Sequence, residues 1–310
     1  MSPAQANQPL PSGFLLEQYR IERQISLGGF SIVYLAYDTQ ETPVAIKEYL
    51  PSSLALRAGE NPEPVVAEIH RTAFNHGMKC FFEEGRTLAR LSHPNVVGVL
   101  NFFRANGTAY LVMRYERGRT LQEHIQKHSG QIGEEFLRTM FARLLNGLRE
   151  VHGHKLLHLD LKPGNIYLRT DAMPVLLDFG AARQVIGSEA PRLKTMHTPG
   201  FAAPEQYESI DRCGPWTDIY GVGATIYACV AGKAPPAANR RREGEPLPAA
   251  VEVGAKKYSR HLLEIIDLCL QLDPLARPQS VFALQRELSR EDYRRPVRGV
   301  LSRLKGMLGS

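Results

Sequence analysis

His158-Leu159-Asp160-Leu161-Lys162-Pro163-Gly164-Asn165 is the stretch on which the fold turns. Asp178-Phe179-Gly180 follows, beginning 18 positions after Asp160, and then Ala203-Pro204-Glu205. Upstream stands Val44-Ala45-Ile46-Lys47. Singly these pieces say little. An Asp-Phe-Gly is more often a turn, and a Val-Ala-Ile-Lys is more often a buried strand ending in a solvated lysine. What carries weight is their order and spacing.

The flanking sequence divides in two. Tyr19–Ile25, Ile32–Tyr37, Pro43–Tyr49, Val96–Phe103 and Thr108–Tyr115 are short runs rich in β-branched and aromatic residues, the last two joined by Arg-Ala-Asn-Gly. Phe81–Leu91 has helical spacing. These predict a five-stranded, largely antiparallel sheet with a helix. Beyond Glu116–Gly118 the signals turn helical: Phe136–Val151 carries a wide apolar stripe, Asp218–Val230 is nearly all apolar, and His261–Leu272 and Ser280–Leu288 are amphipathic. Val175–Leu177 reads as a short strand before Asp178. The expectation is an α+β, bilobal chain: a small antiparallel β lobe with one main helix, and a larger helical lobe. The divisions are 1–18 as a loose tail, 19–115 as the small lobe with a surface insertion over 48–80, 116–290 as the large lobe, and 291–310 as a basic tail.

Composition bounds the rest. The 310 residues are 43% hydrophobic and 23% charged, which excludes a disordered chain, a coiled coil and a collagen-like repeat. Cys80, Cys213, Cys229 and Cys269 are far apart, which argues for reduced thiols and against a disulfide framework or a metal site. His70, His76, His124, His128, His152, His154, His197 and His261 show no ligand spacing. The start of the chain lacks a secretory pattern, and the longest apolar stretch, Gly221–Gly232, is far short of the ~20 residues a bilayer-spanning helix needs. A cytoplasmic protein is expected. The net charge of +6 raises nucleic acid as a partner, but one Trp and few aromatics among the basic residues argue against it.

The four motifs together resemble the signature set of bacterial eukaryotic-like (Hanks-type) serine/threonine protein kinases, from Tyr19 to about Leu288. The resemblance implies an ATP-dependent enzyme that phosphorylates Ser/Thr hydroxyls, itself included. ATP and Mg²⁺ are the implied cofactors, with Mn²⁺ as an alternative. Phosphoryl transfer needs positioning and charge neutralisation more than covalent help. Asp160 is then the catalytic carboxylate that orients the acceptor hydroxyl, and Lys162 reaches the γ-phosphate. Asn165 and Asp178 are the metal ligands, since magnesium takes few protein ligands and keeps its waters. Lys47 contacts the α- and β-phosphates, and Glu84 is the helix carboxylate that holds it. Neighbouring Glu83 points about 100° away and is expected in solvent. Ser26, Leu27, Gly28, Gly29, Phe30, Ser31 and Val33 form the phosphate loop and its roof, with Ala45 beside them. Met113 lies behind the nucleotide, and Arg114 and Tyr115 offer backbone groups to adenine. Glu205 with Arg277 resembles the buried ion pair of the large lobe, Asp218 accepts catalytic-loop backbone bonds, and His158 is a packed scaffold residue.

Two departures stand out. The family's G-x-G-x-x-G becomes Ser26-Leu27-Gly28-Gly29-Phe30-Ser31, keeping only the central glycine. Leu159 replaces the arginine that pairs with a phosphate on the activation segment, which predicts activity without strict dependence on that phosphorylation. Both leave room for a second reading, a pseudokinase acting as scaffold or binding module. A small-molecule kinase is disfavoured by Ala203-Pro204-Glu205 and Thr198-Pro199-Gly200, which suit a peptide shelf. The implied partners are a protein substrate, a phosphothreonine-reading protein and an opposing phosphatase. Residues 290–310 hold a net +4 of the surplus charge. Their Val297, Val300, Leu301, Leu304 and Leu308 suit a basic amphipathic helix, which would lie peripherally on a membrane, dock on a partner, or pack on its own lobe.

Overall fold

Residues 7–59, 61–178, 183–184 (backbone only), 197–244 and 246–290 are described by the computed structural model. The small lobe runs β1 (Leu15–Leu16), β2 (Tyr19–Leu27), β3 (Ser31–Tyr37), β4 (Pro43–Tyr49), a hairpin of β5 (Ala55–Leu56) and β6 (Val65–Val66), α1 (Glu68–Leu88), β7 (Val99–Ala105) and β8 (Thr108–Arg114). Its antiparallel sheet has the order β1-β2-β3-β4-β8-β7.

Strand alternation gives this sheet two different faces. One carries Val33, Ala45, Lys47, Leu111 and Met113, with Val33 opposite Lys47 and Ala45 opposite Met113. Helix α1 packs here: Phe81 lies under the Lys47 ammonium, and a side chain on Gly85 would strike Leu111. The other face carries Ile32, Tyr34, Ile46, Glu48, Tyr110 and Val112, all buried. It is covered by chain from outside the sheet. Arg57 is only 2% exposed and reaches Glu48, which is fully buried.

That cover corrects two expectations. Residues 7–18 are not a loose tail: Asn7, Leu10 and Leu16 are buried, and β1 pairs with β2. Residues 48–80 are not a surface insertion either. Leu50, Ala55, Arg57 and Phe74 are buried, and α1 already begins at Glu68, well before the Phe81 expected from spacing. One face of α1, through Phe74, Gly77, Phe81, Gly85 and Leu88, supplies its packing, while the polar remainder masked the period in the sequence.

The large lobe contains β9 (Gly118–Thr120), α2 (Leu121–Lys127), α3 (Glu134–Gly153), β10 (Leu156–Leu157), β11 (Ile166–Arg169), β12 (Pro174–Leu176), β13 (Arg183–Gln184), α4 (Pro215–Ala231), α5 (Ala238–Arg242), α6 (Ala250–Val253), α7 (Arg260–Cys269) and α8 (Val281–Ser289). The α3 stripe of Leu137, Met140, Phe141, Leu144, Leu145, Leu148 and Val151 is buried as its period predicts. Helix α4 is buried on nearly all sides, and Gly221 lets it approach the His158–Asn165 stretch: a Cβ there would lie 2.9 Å from that of Leu161. The lobes are stitched by Asn95–Val97. Leu176 donates to Asn95 and Val97 to Leu176, at 2.9 and 3.0 Å, and the Asn95 amide donates to the Pro174 carbonyl at 2.7 Å. This fixes β12 and so the approach to Asp178. Phe179, Gly180 and residues 291–310 lie outside the described residues, and so does any structure for the basic tail.

Candidate active site

The stretch after β10 is held from beneath by one carboxylate. Asp218, in the first turn of α4, accepts the backbone N–H of His158 at 2.9 Å and of Leu159 at 2.7 Å, and faces His152 Nε2 at 2.7 Å. Burial alone would raise this carboxyl, but the His152 ring and the backbone donors outweigh it and hold it below the usual range. His152 was not singled out in the sequence, and nothing in its spacing marks it. His158 is fully buried against the Leu177 carbonyl, and burial lowers the pKa of its ring against the pull of the Asp218 and Asp160 carboxylates. Leu159 sits at φ 61, a left-handed conformation that costs leucine roughly 1 kcal/mol. The two Asp218 bonds hold it there, helped by Gln206, whose Nε2 donates to the Leu159 carbonyl at 2.8 Å. Gln206 also caps the Ala203-Pro204-Glu205 turn through Ala203 N–H. It is a second positioning residue that spacing did not reveal.

This backbone turn projects Asp160 into a cluster of donors. Lys162 Nζ and Asn165 Nδ2 donate to Oδ2 at 2.7 and 2.8 Å, and the Thr198 hydroxyl donates to Oδ1 at 2.8 Å. Lys162 also donates to Thr198, at 2.8 Å. Asn165 spends its amide nitrogen on Asp160, leaving Oδ1 as an acceptor, and its carbonyl accepts Leu177 N–H. Asp178 is therefore delivered beside it, again with positive φ, 53°.

Lys47 emerges from β4 nearly buried and pairs with Asp178, not with Glu84. Burial alone would lower its pKa, but the nearby Asp178 and Glu84 carboxylates outweigh it and raise it. The predicted Lys47–Glu84 bond is thus absent here. Among the described residues Glu84 Oε1 is buried without a hydrogen-bond partner, and burial pushes its carboxyl up to about 7 against the pull of Lys47. Glu83 instead bonds Arg86 at the surface, at 2.6 Å. The raised Glu84 value has a testable sign. The folded state keeps this proton above the ordinary 4.5 while the unfolded chain releases it, so this group makes stability fall as pH rises from about 4.5 to about 7. Melting curves across that window should show the slope in the natural chain and its loss in Glu84→Gln; equal slopes would refute it.

The proposed nucleotide face is also assembled. Val33, Ala45, Lys47 and Met113 share one sheet face, and Tyr115 follows in the interlobe strand exit. Arg114 is exposed, with its N–H on the Gly98 carbonyl. Ser26 through Phe30 are exposed, Ser26 and Leu27 pair with Val33 and Ile32, and Gly28 N–H closes the turn on Ser31 at 2.9 Å. In the large lobe Glu205 and Arg277 form a buried bidentate pair at 2.7 and 3.0 Å.

The sequence pattern of the protein kinase domain matches residues 19–289. The chain belongs to the protein kinase domain family. Its solved relatives include the apo form of PpkA-294, 36% identical, with a TM-score of 0.82 over 90% of this chain and 99% of that one. Serine/threonine-protein kinase D of Synechocystis is 29% identical over 88% of this chain and 52% of its own length. Serine/threonine-protein kinase C of Synechocystis is 30% identical over 90% and 50%. The chain thus spans about half the length of these curated relatives. The bilobal α+β architecture expected from the motifs is that of this family, and the similarity to bacterial members agrees with the branch on which the motifs placed it.

Proposed function

We propose that this protein is an ATP-dependent serine/threonine protein kinase that phosphorylates protein hydroxyls, itself included. The observation that carries the reading is the Asp160 cluster: a carboxylate oriented by Lys162, Asn165 and Thr198 on a turn fixed by Asp218. Such a group orients an acceptor hydroxyl and takes its proton, while Lys162 stands ready for phosphate charge. The donor set fits a magnesium nucleotide. Asp178 and Asn165 Oδ1, which accepts no bond from the described residues, are hard oxygen ligands on adjoining segments, and Lys47 is a cation for phosphate. The bound metal supplies charge neutralisation and alignment of the phosphates. The orphaned Oε1 of Glu84 fits the same reading: it is the anion that can hold Lys47 once Asp178 is engaged elsewhere. Incubation with labelled ATP and Mg²⁺ or Mn²⁺ should label the protein or a basic acceptor protein, and Lys47→Ala should abolish this. No labelling with either metal would leave the pseudokinase reading.

The Leu159 substitution favours activity without a phosphorylated activation segment. Leu159 packs with Leu157, Cys213 and Ile210, so apolar side chains fill the neighbourhood of a position where a phosphate-binding arginine is usual. Doubly substituted Ser188→Ala/Thr195→Ala protein should keep a rate within about twofold of the natural chain, on the scale of a neutral surface change. A loss restored by Glu at the same positions would overturn this. A phosphothreonine-reading partner, an opposing phosphatase and cytoplasmic placement with peripheral contact through 291–310 complete the proposal; they are supported by the bacterial resemblance, the isolated thiols and the basic tail.

A further inference from the structure

The cover on the outer face of the small-lobe sheet reaches the phosphate loop through a continuous chain of hydrogen bonds. At the loop, Leu50 N–H donates to the Phe30 carbonyl and Ser52 N–H to the Gly29 carbonyl, both at 2.9 Å, and the Ser52 hydroxyl donates to Gly29 at 3.2 Å. Segment 50–57 is in turn gripped by Asn7. Its amide donates to the Ala55 and Leu50 carbonyls at 3.2 and 3.4 Å, and its Oδ1 accepts Arg57 N–H at 2.6 Å. Gln8 pairs with Arg57 through both backbones and through Arg57 Nε, at 3.0 and 2.8 Å. The Arg57 guanidinium is bidentate on Glu48 at 2.6 and 2.8 Å, and Glu48 also accepts the Tyr34 and Tyr110 hydroxyls at 2.7 and 2.8 Å. Glu48 is the residue after Lys47 and points to the opposite face.

We infer that Asn7 and Arg57 are positioning residues for nucleotide binding: they brace the 50–52 segment that ties down the tip of the phosphate loop. The inference rests on the kinase reading. The loop tip is exposed: Leu27 and Phe30 are each 46% exposed, and beyond the hairpin's own pairing with β3 the described hydrogen bonds to Gly29 and Phe30 come from Leu50 and Ser52. Backbone N–H groups serve phosphate only when held in place beforehand. In this chain the hold comes from behind, through the carbonyls of Gly29 and Phe30, and it is anchored on a bidentate pair that excludes water. A brace of this kind acts on nucleotide affinity and leaves the Asp160 cluster, on the other lobe, unchanged.

The full chain should be compared with Asn7→Ala, Asn7→Asp and Arg57→Met, with Glu41→Ala on the exposed edge as control. The readouts are displacement of a fluorescent ATP analogue by ATP, hydrogen exchange of the 26–31 and 50–52 amides, and steady-state kinetics. Asn7→Ala should weaken nucleotide affinity about fivefold, the worth of roughly one net hydrogen bond. It should also raise KM for ATP equally, speed exchange at both segments, and leave kcat and the KM for the protein acceptor within about twofold. Asn7→Asp, which keeps the acceptor for Arg57 N–H, should fall between. Lower melting temperature with unchanged nucleotide affinity in Asn7→Ala would make the brace merely structural and overturn the inference, whether or not Arg57→Met folds. A natural chain that binds no nucleotide would overturn both this and the kinase reading; one that transfers phosphate, with all variants binding alike, overturns the inference alone.

Discussion

Asp160→Asn should lower kcat by a factor on the order of 10²–10⁴ while leaving nucleotide affinity nearly unchanged. The substitution keeps the shape of the side chain and the backbone turn beneath it, because Asp218 and Gln206 bind the loop through main-chain groups. It changes what the oxygens can do. As a carboxylate, Asp160 accepts from Lys162, Asn165 and Thr198. An amide must turn an NH₂ toward at least one of those donors, and it cannot take a proton from an incoming hydroxyl. Single-turnover phosphate transfer and ATP-analogue binding, measured on the same preparation, separate the two effects. A rate within about threefold of the natural chain would remove Asp160 from the chemistry.

Arg277→Ala should destabilise the protein by about 3–5 kcal/mol. The guanidinium is completely buried and fully used. It holds Glu205 bidentately, donates to the Gln271, Leu272 and Trp216 carbonyls, and lies 4.9 Å from the centre of the Tyr220 ring. Truncation strands Glu205 in the core with, among the described residues, only the Thr217 hydroxyl on its Oε1. For a chain of this size the melting temperature should fall by about 10 °C, with urea unfolding as the second measure. Replacing both partners by apolar residues, Glu205→Leu with Arg277→Met, should recover part of the loss, since no charge is then left unpaired. A single variant within 1 kcal/mol of the natural chain, on the scale of a neutral surface change, would show that Glu205 finds water or another partner.

The catalytic stretch was legible because its chemistry is local. Asp160, Lys162 and Asn165 lie within six positions on one turn, so a match to one short motif of the resembled family places all three together. Asp218 comes from a distant segment and was assigned through motif resemblance, which also marked the Thr198-Pro199-Gly200 element. Gln206 and His152 act through a carbonyl and a ring nitrogen that no spacing announces. Glu84, expected to hold Lys47, lies close enough to act on its charge, but which anion holds the lysine is a tertiary matter, and here it is Asp178. The outer sheet face was misread for a physical reason. Arg57 stands among Pro and Gly in a polar stretch, and Glu48 follows a charged strand residue; each looks solvated until its partner is known. Buried ions are visible in sequence only as pairs, and nothing ties position 48 to 57, or either to Asn7, before the chain is folded.

Asn7 changes where this domain begins. The family match starts at Tyr19, yet the amide that closes segment 50–57 lies twelve positions earlier. A fragment trimmed to the match would discard Asn7, Gln8 and Leu10, expose the Tyr34 hydroxyl and leave two Arg57 donors facing water. Its weakness would be easily mistaken for poor catalysis. The smallest faithful unit of this domain therefore starts ahead of its family boundary, and anything fused to its front is joined to a segment that is itself part of the core.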